Sequence, residues 1–209
     1  QYDNMGVFAG PASQGDLINW GSKIPEISLP NDIDFVKSLI MECNRSKIPV
    51  KPLGSGSYAL DHGVMVPLHF LLPSLKRIPL VPLTFSALPL TSHLDFGKVL
   101  NKVASGLNKR AAIIASGDLS HRLIPGAPAG YDPKGKEFDD RLCKALSIMD
   151  TKSILNMSDE FIERAGECGL RSIVILLGAL QGLKVKPEIL SYEGPFGVGY
   201  LVASFKVES

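Results

Sequence analysis

Cysteine is scarce in this sequence and never paired: Cys43, Cys143 and Cys168 are far apart and form no CxxC motif. An odd count at such spacing argues against a disulfide framework or a zinc ribbon and fits a reducing cytoplasm. A basic stripe is also missing. The 22 Lys and Arg residues are scattered and offset by 21 Asp and Glu, for a net charge of +1, so nucleic acid is not an expected partner. No apolar run reaches the roughly 18–20 residues that span a bilayer, so no membrane partner is expected either. Neither a phosphate-binding GxxxxGKS/T loop nor a GxGxxG turn leading from strand to helix occurs, and there is no GxSxG nucleophile elbow. No basic-then-apolar secretory leader is seen. The chain opens on Gln1 rather than Met, as if the fold had already begun, and a missing amino-terminal segment is expected.

What is present suffices for a sizeable core. Apolar residues make up 45% and charged residues 21% of 209 residues, the balance of a folded domain. With no repeat and no linker, residues 1–209 are expected to form one domain.

Periodicity places the elements. Asn31 is expected to cap a helix whose apolar face is Val36, Leu39, Ile40 and Cys43. An extended segment around Ile48 to Leu53 follows, then a flexible Gly54-Ser55-Gly56-Ser57 loop. A buried helix is expected from about Gly63 to Leu72, with Pro67 tolerated if it falls in the first turn. Ile78 to Ser86 reads as an edge or bent strand because of its prolines. Ser92 with Asp95 resembles a capping box opening a helix with Phe96, Val99, Leu100, Val103 and Leu107 on one face. "AAIIAS", Ala111 to Ser116, reads as a central strand, apolar on both faces. Asp132-Pro133 should open a helix with face Phe138, Leu142, Ala145, Leu146 and Met149. Helical turns over 151–165, a buried helix over 171–182 and a closing hairpin bent at Pro195-Phe196-Gly197 complete the chain. Strands alternating with helices predict an α/β fold with a mixed, mostly parallel central sheet flanked by helices.

In such folds, polar side chains just past the carboxyl end of a central strand point into the ligand crevice. Asp118, Ser120, His121 and Arg122 follow "AIIAS" at that point. His121 could transfer protons near neutral pH with Asp118 fixing its tautomer; the competing reading is a histidine packed in a loop. His62, in "LDHG" before an apolar helix, is a second candidate, against a merely structural role. Glu193 in "YEGP" is a third, against an exposed turn residue. His69, in the helix, and His93, in the first turn of its helix and exposed, are expected to be structural or solvated. Cys143 and Cys168 read as core thiols.

Together, "LDHGVMVPLHFL", "ASGDLSHRL" with "PAGYDPKGKEFD" behind it, and "SYEGPFGVGYLVA" resemble the class III extradiol ring-cleavage dioxygenases, the LigB family, and its Memo-like subgroup. The likeness runs in order from about Gly10 to Phe205. It implies a LigB-like fold and non-haem Fe(II); because histidine and carboxylate ligands suit both metals, zinc with hydrolysis as the reaction stays open beside it. The implied reaction cleaves a catechol-type aromatic substrate with O2. Carried over by motif, it makes Glu193 a metal ligand, His121 the base on the catechol hydroxyl and His62 a second catalytic pocket histidine that binds substrate or acts as general acid. Asp118 and Arg122 are then candidate substrate-binding residues. The resemblance further implies two metal-binding histidines in amino-terminal motifs, one PHPP-like, which this chain begins after; His69 and His93 do not sit in such motifs. A fused or associated companion domain, self-association, and a Memo-like binding role without catalysis are also open under it.

Overall fold

The computed structural model describes residues 3–22, 26–54, 59–71 and 78–208. Its elements form an α/β arrangement with a mixed sheet flanked by helices, as the alternation predicts. The first strand, β1 (Met5–Phe8), is buried along its whole length. It is followed by β2 (Ala12–Gly15), a short 3-10 turn over Ile18–Trp20, and β3 (Ile27–Pro30), which pairs antiparallel with β2. Helix α1 (Ile33–Arg45) then leads to β4 (Val50–Leu53), parallel to β1 in the register Met5–Val50 to Phe8–Leu53. Helix α2 covers His62–Leu71, and β5 (Leu83–Thr84) adds to the other side of β1, antiparallel.

The second half is mostly helical: α3 (Leu90–Gly106), α4 (Pro133–Ser147), α5 (Thr151–Leu155), α6 (Asp159–Ala165) and α7 (Leu170–Leu180). It closes with β6 (Val185–Glu193) and β7 (Tyr200–Val207), the antiparallel hairpin expected from sequence. One apolar core joins β1 to α1, α3 and α7 through Met5, Leu39, Phe96 and Ala179. A second joins α4 to α5, α6 and α7 through Phe138, Leu142, Ile154 and Val174. A third, smaller one gathers Phe8, Ile27, Leu60, Met65 and Leu68 around α2. No helix among the described residues is long and apolar enough to cross a membrane.

Several local expectations are corrected. The cap of α1 is Asp32, whose Oδ1 accepts from Phe35 N at 3.1 Å. Asn31 is unavailable because its buried carboxamide accepts from Ser13 Oγ and donates to Gly10 O, both at 2.9 Å, tying the β2 region together. Helix α3 starts at Leu90, with Pro89 before it and no side-chain cap, so Ser92 lies inside the first turn. His93 is fully buried rather than exposed. Its Nε2 accepts from Ser86 N at 3.2 Å while Nδ1 faces Pro89 O at 3.0 Å, and burial pushes the imidazole pKa down. Helix α2 is only half-buried: Met65 and Leu68 face inward while Phe70 is 75% exposed. Pro67 falls past its first turn, since the helix begins at His62. Ser55 to Ser57 and Leu72 lie outside the described residues.

The expected strand over Ile78–Ser86 shrinks to Leu83–Thr84 and an isolated bridge from Leu80 to Asn31. Prolines 79 and 82 cannot donate to a ladder, which limits pairing. Ala111 to Ser116 belong to no strand ladder among the described residues, and Ile113 and Ile114 are 40% and 53% exposed. Apolar composition alone does not make a strand. Here β1 already has β4 on one side and β5 on the other, and β6 and β7 pair with each other.

Candidate functional site

The site is built where the Gly117–Arg122 loop crosses the start of α7. Two glycines allow the crossing: a Cβ on Gly117 would stand 2.5 Å from Gly169 Cα, and one on Gly169 would stand 2.9 Å from Asp118 O. Asp118 O therefore accepts from Cys168 N at 3.2 Å and Gly169 N at 2.8 Å. In return Asp118 N donates to Cys168 Sγ at 3.1 Å. His121 N donates to Gly166 O at 3.2 Å, and Ser120 Oγ to Ala165 O at 2.7 Å, so the loop is fastened along the α6–α7 connection.

A second set of bonds fastens the loop to the β6–β7 hairpin. Leu119 N donates to Gly199 O, Gly199 N to Ser120 O and Leu123 N to Gly197 O, at 2.9, 2.7 and 3.0 Å. Asp139 of α4 lies beneath, fully buried. Its Oδ1 accepts from Ser120 N at 2.9 Å and its Oδ2 from Tyr192 OH at 2.7 Å. Burial pushes its carboxyl pKa up despite those two donors. The carboxylate lies so close to Gly199 that a Cβ there would be 2.1 Å from Oδ2. The "SGDLSH" and "EGPFGVGY" motifs, nearly 80 residues apart in sequence, are thus adjacent in the fold.

At the surface of this assembly His121 Nε2 is 3.3 Å from Asp118 Oδ2 and 3.9 Å from Cys168 Sγ. The Asp118, His121 and Cys168 ligand atoms all lie within 4.8 Å of one another, the one such His/Cys/Asp/Glu grouping among the described residues. Cys168 is exposed, not the core thiol expected from sequence, because it precedes α7 rather than lying on its apolar face. Partial desolvation and then the charges of Asp118 and Glu167 push its thiol pKa up. The Glu167 side chain is itself 2% exposed; its Oε2 accepts from Leu170 N at 2.6 Å, and burial pushes its carboxyl up. Arg122 N donates to Ser120 Oγ at 3.0 Å and its Nη1 to Arg164 O at 3.5 Å, while its buried Nε has no hydrogen-bond partner.

The other candidates stand on other elements. His62 opens α2, exposed, its ring 5.1 Å from that of Trp20. Asp61 caps the same helix end through Val64 N at 3.2 Å. Glu193 ends β6, also exposed, with Ser191 Oγ donating to its Oε1 at 3.4 Å. Among the described residues no hydrogen bond, ion pair or ring contact joins His62, His121 and Glu193. The sequence reading missed Cys168, Glu167 and Asp139 as members of the site. Only Asp139 had a signal, as the last residue of the quoted "PAGYDPKGKEFD".

The fold and these motifs define a ring-opening dioxygenase-like domain: the family model described as the catalytic LigB subunit of aromatic ring-opening dioxygenase matches residues 12–203. The chain belongs to the LigB family. It is 40% identical over 190 residues to Protein CA_C1420 of Clostridium acetobutylicum, covering 91% of this chain and 37% of that protein. It is 25% identical over 185 residues to the MEMO1 family protein MMP1387 of Methanococcus maripaludis, covering 84% of this chain and 58% of the relative. A 2,3-dihydroxyphenylpropionate/2,3-dihydroxicinnamic acid 1,2-dioxygenase of Escherichia coli is 29% identical over 128 residues, 58% of this chain and 39% of that enzyme. The crystal structure of uncharacterized protein JW3007 from Escherichia coli K12 superposes with a TM-score of 0.67 at 20% identity, over 96% of this chain and 80% of that one. The chain thus spans between a third and three fifths of the lengths of these sequence relatives.

Proposed function

We propose that this domain serves a cytoplasmic extradiol-type dioxygenase in which the intact protein opens a catechol-type ring with O2. Family membership supports the reaction class, and the observation that carries the residue assignment is the His121–Asp118 pair on a doubly fastened loop. The tautomer that satisfies the 3.3 Å contact carries its proton on Nε2 toward Asp118, leaving the Nδ1 lone pair free to accept a proton. Asp118 then stabilises the imidazolium that forms when a catechol hydroxyl gives up its proton. Arg122 is the cation available for an anionic substituent on the ring. General-base assistance of this kind contributes about 10²–10⁴ in rate.

The iron centre implied by the resemblance needs two histidines and a carboxylate on one face. Among the described residues Glu193 belongs to no group of three or more such ligands, and the grouping that does assemble is Asp118, His121 and Cys168, with one histidine rather than two. No step is therefore routed through iron, and Glu193 as a ligand and His62 as a pocket residue remain part of the proposal for the intact protein. The likeness to a MEMO1-family protein supports a second reading, in which the domain binds a small ligand or a partner without ring cleavage.

The deciding experiment uses the full-length protein, loaded anaerobically with Fe(II) and exposed to a panel of catechols and O2. Formation of a yellow ring-opened product, lost in His121→Ala, supports the enzyme. Iron bound with no product from any catechol leaves the binding reading in its place.

A further inference from the structure

We propose that Asp139, on helix α4, is the positioning residue of His121: it seats Ser120 so that the neighbouring imidazole keeps its contact with Asp118. This rests on the reading of His121 as a base. Every backbone N–H from Asp118 to Leu123 has a partner. Those of Asp118 and His121 go to the α6–α7 connection, and those of Leu119 and Leu123 to the β6–β7 hairpin. The Arg122 N–H stays within the loop, on Ser120 Oγ. The Ser120 N–H alone reaches a third element, at Asp139 Oδ1. Ser120 is fully buried and held at each polar atom, with its O accepting from Gly199 N and its Oγ donating to Ala165 O.

Helix α4 is shaped to receive this serine. Gly135 and Asp139 stand one turn apart on the same face. A Cβ on Gly135 would be 2.3 Å from Ser120 Oγ, so the glycine leaves room for the hydroxyl while the carboxylate supplies the acceptor. Tyr192 pins that carboxylate from the other side by donating to Oδ2. A carboxylate is a costly occupant of this place. It is fully buried, meets two neutral donors and has no ion pair among the described residues. Burial on those terms costs stability that an apolar side chain would not. What it supplies is a fixed acceptor for one N–H.

That N–H matters because Ser120 lies between Asp118 and His121 in the chain, so its placement sets how the two side chains meet. Their contact, 3.3 Å from Nε2 to Oδ2, is already near the outer limit of a hydrogen bond. Without its acceptor the Ser120 N–H is unpaired in the interior, and the loop must shift to satisfy it. A shift of about half an ångström carries the pair past that limit. The ring then loses the partner that fixes its tautomer.

The test uses the full-length protein with isotope-labelled histidine, read by nitrogen NMR before iron is added, at a pH where the rings are neutral. The His121 signal is assigned by its loss in His121→Ala. Expected for the wild type is a proton held on Nε2. Folded Asp139→Ala should give a mixture of Nε2–H and Nδ1–H forms. Asp139→Asn should restore the wild-type signal, because its oxygen can accept from Ser120 N while its NH2 donates to the Tyr192 oxygen. His93 is the internal control for folding. Its Nε2 accepts from Ser86 N and its proton lies on Nδ1 toward Pro89 O, a network that Asp139 does not enter, so its signal should not change. With Fe(II) and a catechol, Asp139→Ala should lower kcat by about tenfold to a hundredfold and leave KM within about twofold, the pattern of a lost transition-state interaction. A folded Asp139→Ala with the wild-type His121 signal, or a wild type whose ring is already a mixture, overturns the proposal. If Asp139→Ala does not fold, Tyr192→Phe decides in its place: a partial mixture is expected, and an unchanged signal overturns the proposal. The tautomer is read without turnover, so a wild type that opens no catechol sinks the dioxygenase reading while the hold of Asp139 on the ring is judged separately.

Discussion

Tyr192 donates its hydroxyl to Asp139 Oδ2 across 2.7 Å, and through that one carboxylate the β6 strand is linked to the loop that carries His121. Removing the hydroxyl leaves a buried carboxylate oxygen without its donor. Tyr192→Phe should cost about 1–3 kcal/mol of stability, the ordinary penalty for an unsatisfied buried polar atom. Asp139→Ala should cost more, because it orphans both the Ser120 N–H and the Tyr192 hydroxyl. Urea unfolding of the two variants checks the order. Equal stability of Tyr192→Phe and the wild type would show that the carboxylate finds water instead.

That linkage also shows what the sequence could and could not reveal. Signals confined to a few neighbouring residues survive folding. Asp132 caps α4 ahead of Pro133, with its side chain accepting from Lys134 N; Phe96, Val99, Leu100 and Val103 share the buried face of α3; and the closing hairpin forms. Signals that depend on a distant partner do not. The apolar stretch from Ala111 to Ser116 has a strand's composition but no ladder to join among the described residues. The Asn31 carboxamide was claimed by Ser13 and Gly10, so the capping role moved one residue along. Likewise His121 was legible from its position after an apolar run, whereas Cys168, 47 residues on, reaches it only because two glycines cross.

Glu167 gives the site a pH signature. Its carboxyl is pushed above the ordinary glutamate value by burial, ahead of the Leu170 N–H and the Arg171 and His121 charges that oppose the shift. A raised carboxyl penalises the folded state when ionised, and protonation relieves the penalty. The wild type should therefore gain stability relative to Glu167→Gln as pH falls from neutrality through the raised folded pKa toward the unfolded value. The amide keeps an oxygen for Leu170 N but does not titrate. Denaturant midpoints for both proteins across that range test the sign; a gap widening against the wild type at low pH would reverse the assignment.

Helices α3 and α7 can approach because glycine faces backbone on both. A Cβ on Gly97 would sit 2.0 Å from Ile175 O, and one on Gly178 would sit 2.1 Å from Leu94 O. Neither obstacle is a side-chain tip that can swing away, so the helices themselves must separate. Gly97→Ala should destabilise by the overpacking cost, about 1–3 kcal/mol or somewhat more, despite alanine's better helix propensity. Thermal unfolding decides it. A variant as stable as the parent would mean that the helix pair slides apart freely.

The last prediction separates the three residues that the family resemblance groups. His62 stands exposed against Trp20 and supports no buried network, so His62→Ala should shift stability by no more than about 0.5 kcal/mol. If it shares the substrate pocket of the intact protein, kcat/KM for a catechol should nonetheless fall. His121→Ala should lower kcat by about 10²–10⁴, because it removes the proton acceptor. Glu193→Gln should lower bound iron along with activity, since its proposed role is to hold the metal. Iron content, kcat and unfolding midpoint measured on the same preparations distinguish these outcomes. Unchanged kcat in His121→Ala would remove the base from the mechanism, and full iron content in Glu193→Gln would remove that carboxylate from the metal's ligands.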